Sequence, residues 1–173
     1  MKKYLVIGNP ITHSLSPELH NYWLRENNIN GIYNKEQLDK NDLKKFFLKI
    51  KKKEINGANI TVPFKKDVIS YVDQLSLEAE KTQSVNTVYL KKDKIIGHNT
   101  DIDGFKLAIK DANYDVEGKK VLILGAGGVV PSVIFALYKM RVLSVTISNR
   151  TKTKAENLKS LFNDLKINDR GED

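Results

Sequence analysis

The stretch Val121-Leu122-Ile123-Leu124-Gly125-Ala126-Gly127-Gly128 constrains the fold of this 173-residue chain more than any other. Four consecutive large apolar residues read as a strand buried on both faces, and the glycines turn it directly into a helix expected over about 128–140. An apolar strand at 143–148 and an amphipathic helix at about 152–166 complete a βαβα succession, the opening of a doubly wound parallel sheet. The third glycine of the G-x-G-x-x-G pattern is replaced by Val130. Pro131 falls in the first helical turn, where its missing N–H costs nothing.

The first hundred residues alternate in the same manner. A short strand at 3–7 ends in Gly8-Asn9-Pro10, and Ser16-Pro17-Glu18 offers a cap, a first-turn proline and an early acid to a helix over about 17–27. A strand near 32–36, a helix near 40–51, a strand at 56–61, helices at 64–70 and 75–82, and a hairpin-like pair at 85–90 and 94–98 follow. Residues 102–113 carry Phe105, Ala108, Ile109 and Ala112 at helical spacing and read as a connecting helix, closed by a polar turn at 113–118. The expected fold class is α/β, an N-terminal α/β domain followed by an incomplete Rossmann-like, doubly wound domain.

Composition removes several kinds of function. A hydrophobic content of 40% supports a core. No apolar run approaches the roughly 20 residues that span a bilayer, and the apolar part of the N-terminus is too short for a secretory signal, so a cytoplasmic protein without a membrane partner is expected. The absence of cysteine excludes disulfides, thiolate catalysis and cysteine-ligated metals. The charge of +8 comes from 29 basic residues of which 25 are lysine, dispersed among acids and without an aromatic stacking platform. Nucleic acid is therefore not the expected partner, whereas a small anionic ligand suits the positive field. Three histidines without an acid cluster at ligand spacing leave no metal site to expect.

Polar residues recur where turns interrupt the apolar strands. Ser14 and Ser16 precede a helix, so their hydroxyls and the first free N–H groups can meet one anion, a carboxylate above all; the structural alternative is that Ser16 caps the helix and Ser14 ends the turn. Asn59 and Thr61 share one face of a strand, and Lys65 opens the next helix. Asn86 interrupts an apolar strand, an odd place for a carboxamide unless it binds a ligand or a buried loop. Asp101 precedes a helix, where its structural reading is an N-cap. His13, beside Ser14, can also face a ligand.

In the second half, Gly125, Ala126, Gly127 and Gly128 form the candidate pyrophosphate turn. At the end of the next strand, where an acid would hold the ribose of NAD, stand Asn149, Arg150 and Thr151, with Lys154 after them. Two cations and two hydrogen-bonding side chains suit a 2′-phosphate and argue for NADP.

Taken in order, Gly8 to Pro17, Gly57-Ala58-Asn59-Ile60-Thr61-Val62-Pro63-Phe64-Lys65, Ser84-Val85-Asn86-Thr87, Gly97-His98-Asn99-Thr100-Asp101 and the glycine turn resemble the shikimate dehydrogenase family over about residues 3–165. The resemblance implies reversible reduction of 3-dehydroshikimate to shikimate by NADPH, in aromatic amino-acid and chorismate biosynthesis. It implies that Ser14 and Ser16 bind the carboxylate, that Asn59, Thr61, Asn86 and Asp101 hold ring hydroxyls, and that Lys65 and Asp101 are the catalytic pair. An ammonium within reach of the ketone oxygen stabilises its developing negative charge and supplies the proton; alcohol oxidation needs the neutral amine and is expected to quicken as pH rises.

On this reading residues 1–101 are the shikimate-binding and catalytic domain, 102–118 the connecting helix and linker, and 119–173 part of an NADP-binding domain. Only two strands are expected after Lys119, so the chain reads as C-terminally truncated, its last segment marginal, with free edges open to oligomers, a homodimer being the simplest. A quinate/shikimate dehydrogenase and a non-catalytic shikimate-binding fragment are the alternative functions.

Overall fold

A computed structural model describes residues 1–162 and the backbone of 167–170. The chain divides into two compact units, Met1–Asn99 and Thr100–Asp173.

In the first unit the elements are β1 (Lys2–Gly8), α1 (Ser16–Glu26), β2 (Gly31–Gln37), α2 (Leu43–Lys51), β3 (Gly57–Ile60), β4 (Gln74–Leu75), α3 (Leu77–Thr82), β5 (Thr87–Lys91) and β6 (Lys94–His98). The strands form one sheet in the order β2-β1-β3-β5-β6-β4. Strand β1 is parallel to β2 and β3, β5 is antiparallel to β3 and β6, and β4 is parallel to β6. The hairpin closes through Lys92 and Asp93, both at positive φ, which suits a tight reversal.

Helix α2 explains one face of this sheet. Leu43, Phe46, Phe47 and Ile50 recur at helical spacing and are all buried. They join Ile7, Ile60, Val85, Val88 and Ile95 in a single dry cluster. Because side chains alternate across a strand, burying Ile7, Ile60 and Val88 on this side turns Val6, Asn59 and Thr87 to the other.

Several sequence expectations shift here for local reasons. The helix expected near 40–51 is a 3-10 turn at Lys40–Asp42, closed by reciprocal Asp39 and Asp42 capping, before α2 begins. The segment expected as a helix at 64–70 is a turn followed by a 3-10 helix at Asp67–Tyr71, because Phe64 N–H closes back on the Thr61 carbonyl at 3.0 Å. Leu75, expected to start a helix, instead joins Gln74 in β4 of the sheet, and Ser76 caps α3 through a 3.2 Å bond from Ala79 N–H. Asn86 lies just ahead of β5, which starts at Thr87.

The second unit contains α4 (Asp101–Asp111), β7 (Lys120–Leu124), α5 (Val130–Lys139), β8 (Ser144–Ser148), α6 (Lys152–Leu161) and β9 (Ile167–Arg170). Its sheet is parallel with order β7-β8-β9. This corrects the two-stranded expectation: the backbone of 167–170 pairs with the open side of β8, a hydrogen-bonding demand that a polar sequence meets without an apolar pattern. Helix α6 ends at Leu161, and the stretch 163–166 assigned to it from sequence lies outside the described residues.

Ile102, Ile134, Ala136 and Ile147 are fully buried in one cluster with Val130, Leu137 and Leu158. Helix α5 begins at Val130, two residues later than expected, because Val130 N–H bonds the Gly127 carbonyl at 3.0 Å and lengthens the glycine turn. The expectation that this strand is buried on both faces is corrected: Val121 and Ile123 pack on the cluster, while Leu122 and Leu124 alternate to the other face of β7 and are 54% and 79% exposed.

Candidate functional site

The face of the first sheet turned away from the dry cluster carries the polar candidates. Val6, Asn59, Thr87 and His98 lie directly across from one another on β1, β3, β5 and β6. At one end of this face a cavity of about 280 Å³ is lined by Val6, Pro10, Ile11, His13, Ser14, Ser16, Thr61 and Val62. Its bounding turns hold the cis peptides Asn9–Pro10 and Val62–Pro63. Gly8 permits the two turns to meet: a Cβ there would lie 2.6 Å from Thr61 Cγ2 and 3.0 Å from the Val62 carbonyl.

Ser14, Ser16 and Thr61 therefore share one cavity. The expectation that Ser16 caps α1 is corrected. Leu15 occupies the cap position and no side chain caps the helix, while Ser14 Oγ accepts the Ser16 N–H at 3.3 Å. Two hydroxyls and the start of a helix with a first-turn proline thus border an apolar-walled cavity, an arrangement able to take an anionic group.

Asn59 and Asn86 belong to a hydrogen-bonded row. Tyr33 Oη donates to Asn59 Oδ1 at 2.6 Å, Asn59 Nδ2 donates to Thr87 Oγ1 at 3.1 Å and to the Asn86 carbonyl at 3.4 Å, and Thr87 Oγ1 donates to Asn86 Oδ1 at 3.0 Å. The backbone of Asn86 is fixed between strands, accepting from Ile60 N–H at 2.8 Å and donating to the His98 carbonyl at 3.0 Å. Lys65 sits in the turn after β3, and its carbonyl accepts from Val85 N–H at 2.8 Å, which ties the lysine backbone to the residue before Asn86. Its neighbour Phe64 anchors the turn in the dry core.

Tyr33 and Thr87 are the residues that sequence reasoning missed. Thr87 had a signal, since period-2 alternation sets it opposite the buried Val88. Tyr33 had none, because the parallel register that brings β2 beside β1 is not written in either strand. Tyr33 is 4% exposed, in a cluster with Val6 and Ile11 that backs the cavity. Asn21 grips its backbone twice, donating to the carbonyl at 2.7 Å and accepting the N–H at 2.9 Å. His20 stacks on the ring at 4.2 Å. Burial pushes the Tyr33 phenol above its ordinary range, so it remains a proton donor, and burial lowers the His20 imidazole below its ordinary value.

A larger depression of about 890 Å³ lies along Ile69, Val72, Leu75, Tyr89, Lys91 and Ile96. It contains none of the candidate residues. The smaller cavity is the better ligand site because hydroxyls from two separate loops converge on it against an apolar wall.

In the second unit Asp101 opens α4 as its first residue. The N-cap expectation for it is corrected, since Thr100 holds that position and no side chain caps the helix. The glycine turn and the Asn149–Thr151 turn occupy the C-terminal ends of the adjacent strands β7 and β8, where parallel α/β sheets bind ligands. Gly125 N–H donates to the Ser148 carbonyl at 2.7 Å, joining the two turns. Gly125 has φ +107°, a conformation that favours glycine. A Cβ built on Gly125 or Gly127 would meet nothing within 4 Å, so the turn has open space for a phosphate to approach its backbone. Asn149 Nδ2 donates to the Thr151 carbonyl at 2.8 Å. Arg150 and Lys154 are exposed and make no ion pair among the described residues. Two unneutralised cations at the start of α6 suit an anion.

Comparison with known proteins gives a consistent likeness. A family model described as the shikimate dehydrogenase substrate binding domain matches residues 6–88, and one described as shikimate/quinate 5-dehydrogenase matches residues 106–170. The NADP(+) shikimate dehydrogenase of Pelagibacter ubique is 53% identical over 166 residues, 96% of this chain and 63% of that protein. The crystal structure of shikimate dehydrogenase from Aquifex aeolicus superposes with a TM-score of 0.92 at 37% identity, covering 99% of this chain and 63% of that one. The Thermus thermophilus enzyme in complex with NADP(H) and shikimate gives 0.88 at 30% identity, over 99% of this chain and 63% of that one. The chain spans less than two thirds of the length of each of these relatives.

Proposed function

The chain belongs to the shikimate dehydrogenase family, and from that premise we propose that it serves the reversible, NADPH-dependent reduction of 3-dehydroshikimate to shikimate. The observation that carries the reading is the cavity where Ser14, Ser16 and Thr61 converge within the unit matched by the substrate-binding model.

In this reading Ser14 and Ser16 receive the substrate carboxylate, while Thr61, Asn59 and Asn86 hold ring hydroxyls. Lys65 is the proton donor to the ketone oxygen and Asp101 the carboxylate that supports its charge and binds a hydroxyl, an assignment supported by the match of both residues to the family motifs. Gly125, Ala126, Gly127 and Gly128 cradle the pyrophosphate, and Asn149, Arg150, Thr151 and Lys154 select the 2′-phosphate of NADP. When bound, that cofactor supplies the hydride. What the chain itself contributes is orientation of the ring and a proton at the oxygen that gains negative charge. Residues 1–101, 102–118 and 119–173 are the substrate-binding, connecting and cofactor-binding segments. A cytoplasmic location and a homodimer, for which the exposed Leu122 and Leu124 offer apolar surface, complete the proposal.

The test is shikimate-dependent formation of NADPH by the 173-residue chain, with Lys65→Ala as control. Turnover abolished by the substitution supports the reading. Shikimate binding without turnover, in a folded chain, would confine the function of these residues to ligand binding. Turnover equal in the two chains would remove Lys65 from the chemistry.

A further inference from the structure

The row from Tyr33 to Asn86 has a direction, and hydrogen-bond inventories set its sense from Tyr33 to Asn59. A backbone carbonyl only accepts, so the Asn59 group facing the Asn86 carbonyl at 3.4 Å is Nδ2. That turns Asn59 Oδ1 to Tyr33, whose hydroxyl must donate across the 2.6 Å contact. Thr87 Oγ1 then receives a proton from Asn59 Nδ2 at 3.1 Å, and its own single proton goes to Asn86 Oδ1 at 3.0 Å. The donors run from Tyr33 to Asn59 and from Asn59 through Thr87 to Asn86 Oδ1.

We infer that Tyr33 is a positioning residue which, through Asn59 and Thr87, sets the orientation of the Asn86 carboxamide, so that Asn86 meets a ligand oxygen as a donor through Nδ2. The inference rests on the shikimate-binding reading of this sheet face and deepens it.

Tyr33 is built for such a task. Asn21 clamps its backbone from both sides, His20 covers its ring, and Val6 and Ile11 bury it beneath the cavity wall. Its raised phenol stays protonated, so the row keeps its sense across the working pH range. Asn59 also acquires a restricted role. Both of its N–H groups are engaged, so it can meet a ligand only as an acceptor, through the second lone pair of Oδ1, from a substrate hydroxyl.

The experiment reads the side-chain amide resonances of Asn86 in the ligand-free chain, assigned by their loss in Asn86→Ala, and shikimate affinity by calorimetry. Tyr33→Phe and Thr87→Val are expected to shift the Asn86 amide pair and to weaken shikimate binding about fivefold. Thr87→Ser, which keeps the hydroxyl, is expected to restore both. Unchanged Asn86 resonances in Tyr33→Phe and Thr87→Val, with only a lowered unfolding midpoint, would overturn the inference and leave Tyr33 a packing residue. Absence of shikimate binding in the unsubstituted chain would count against the functional reading, while the amide resonances would still decide the positioning role.

Discussion

The two faces of the first sheet divide the work of the domain between them. One is dry: Ile7, Ile60, Val85, Val88 and Ile95 are essentially inaccessible beneath α2. The other carries Asn59, Thr87 and Tyr33 in a hydrogen-bonded row beside a cavity walled by Ser14, Ser16 and Thr61. Adjacent residues on the same strands, Asn59 and Ile60 or Thr87 and Val88, therefore belong to different problems. The apolar face gains its stability from area removed from water, while the polar face must satisfy each donor and acceptor separately. Substitutions on the first face should move stability, and those on the second should move ligand affinity.

The strongest way to break this division is Phe46→Ala. Loss of a fully enclosed ring should cost about 3–5 kcal/mol, read by urea unfolding. A cost below about 1 kcal/mol would mean that α2 does not hold the dry face. Next comes Gly8→Ala, which forces a methyl to within 2.6 Å of Thr61 Cγ2 and 3.0 Å of the Val62 carbonyl. Overpacking there should cost about 1–3 kcal/mol and, because Thr61 and Val62 line the cavity, weaken ligand binding as well. A stable Gly8→Ala chain with full affinity would separate the turn from the site.

A smaller effect sharpens the comparison through pH. Burial holds the His20 imidazole below its ordinary 6.5. As pH falls through that value the unfolded chain takes up a proton that the folded chain resists, so stability declines until the folded imidazole also titrates. His20→Phe, which keeps a ring stacked on Tyr33, should flatten this decline below about pH 6.5, read by urea unfolding across that range. An unchanged pH profile would assign the decline to other groups. The smallest effect belongs to the second unit. Leu124→Lys, at a residue 79% exposed, should change stability by less than about 0.5 kcal/mol. A large loss would show that Leu124 is covered in solution.

How far the sequence revealed this arrangement depended on whether the information was local. The strand–glycine turn–helix at 121–140 and the hairpin through Lys92 and Asp93 were legible, because an apolar run and a turn residue specify them over a few positions. Helix α2 was legible in its buried stripe, although its 3-10 entry was not. What escaped needed a partner strand. Strand β4 is two residues long and exists by pairing with β6, and β9 exists by pairing with β8. Asn86 was visible as an anomaly in an apolar strand, whereas Ser14, Ser16, Asn59 and Thr61 were visible through their joint order and spacing at turns and strand ends. The tyrosine that orders two of them was hidden, because an aromatic residue in a strand reads as ordinary core.

The most direct test of the division between faces is a titration of the labelled chain with shikimate, followed residue by residue by NMR. The account predicts saturable shifts centred on Ser14, Ser16 and Thr61 and extending along Asn59 and Thr87, with the buried residues of α2 unmoved. Saturable shifts centred instead on the depression at Ile69, Tyr89 and Lys91, or no saturable shift anywhere on the polar face, would contradict it.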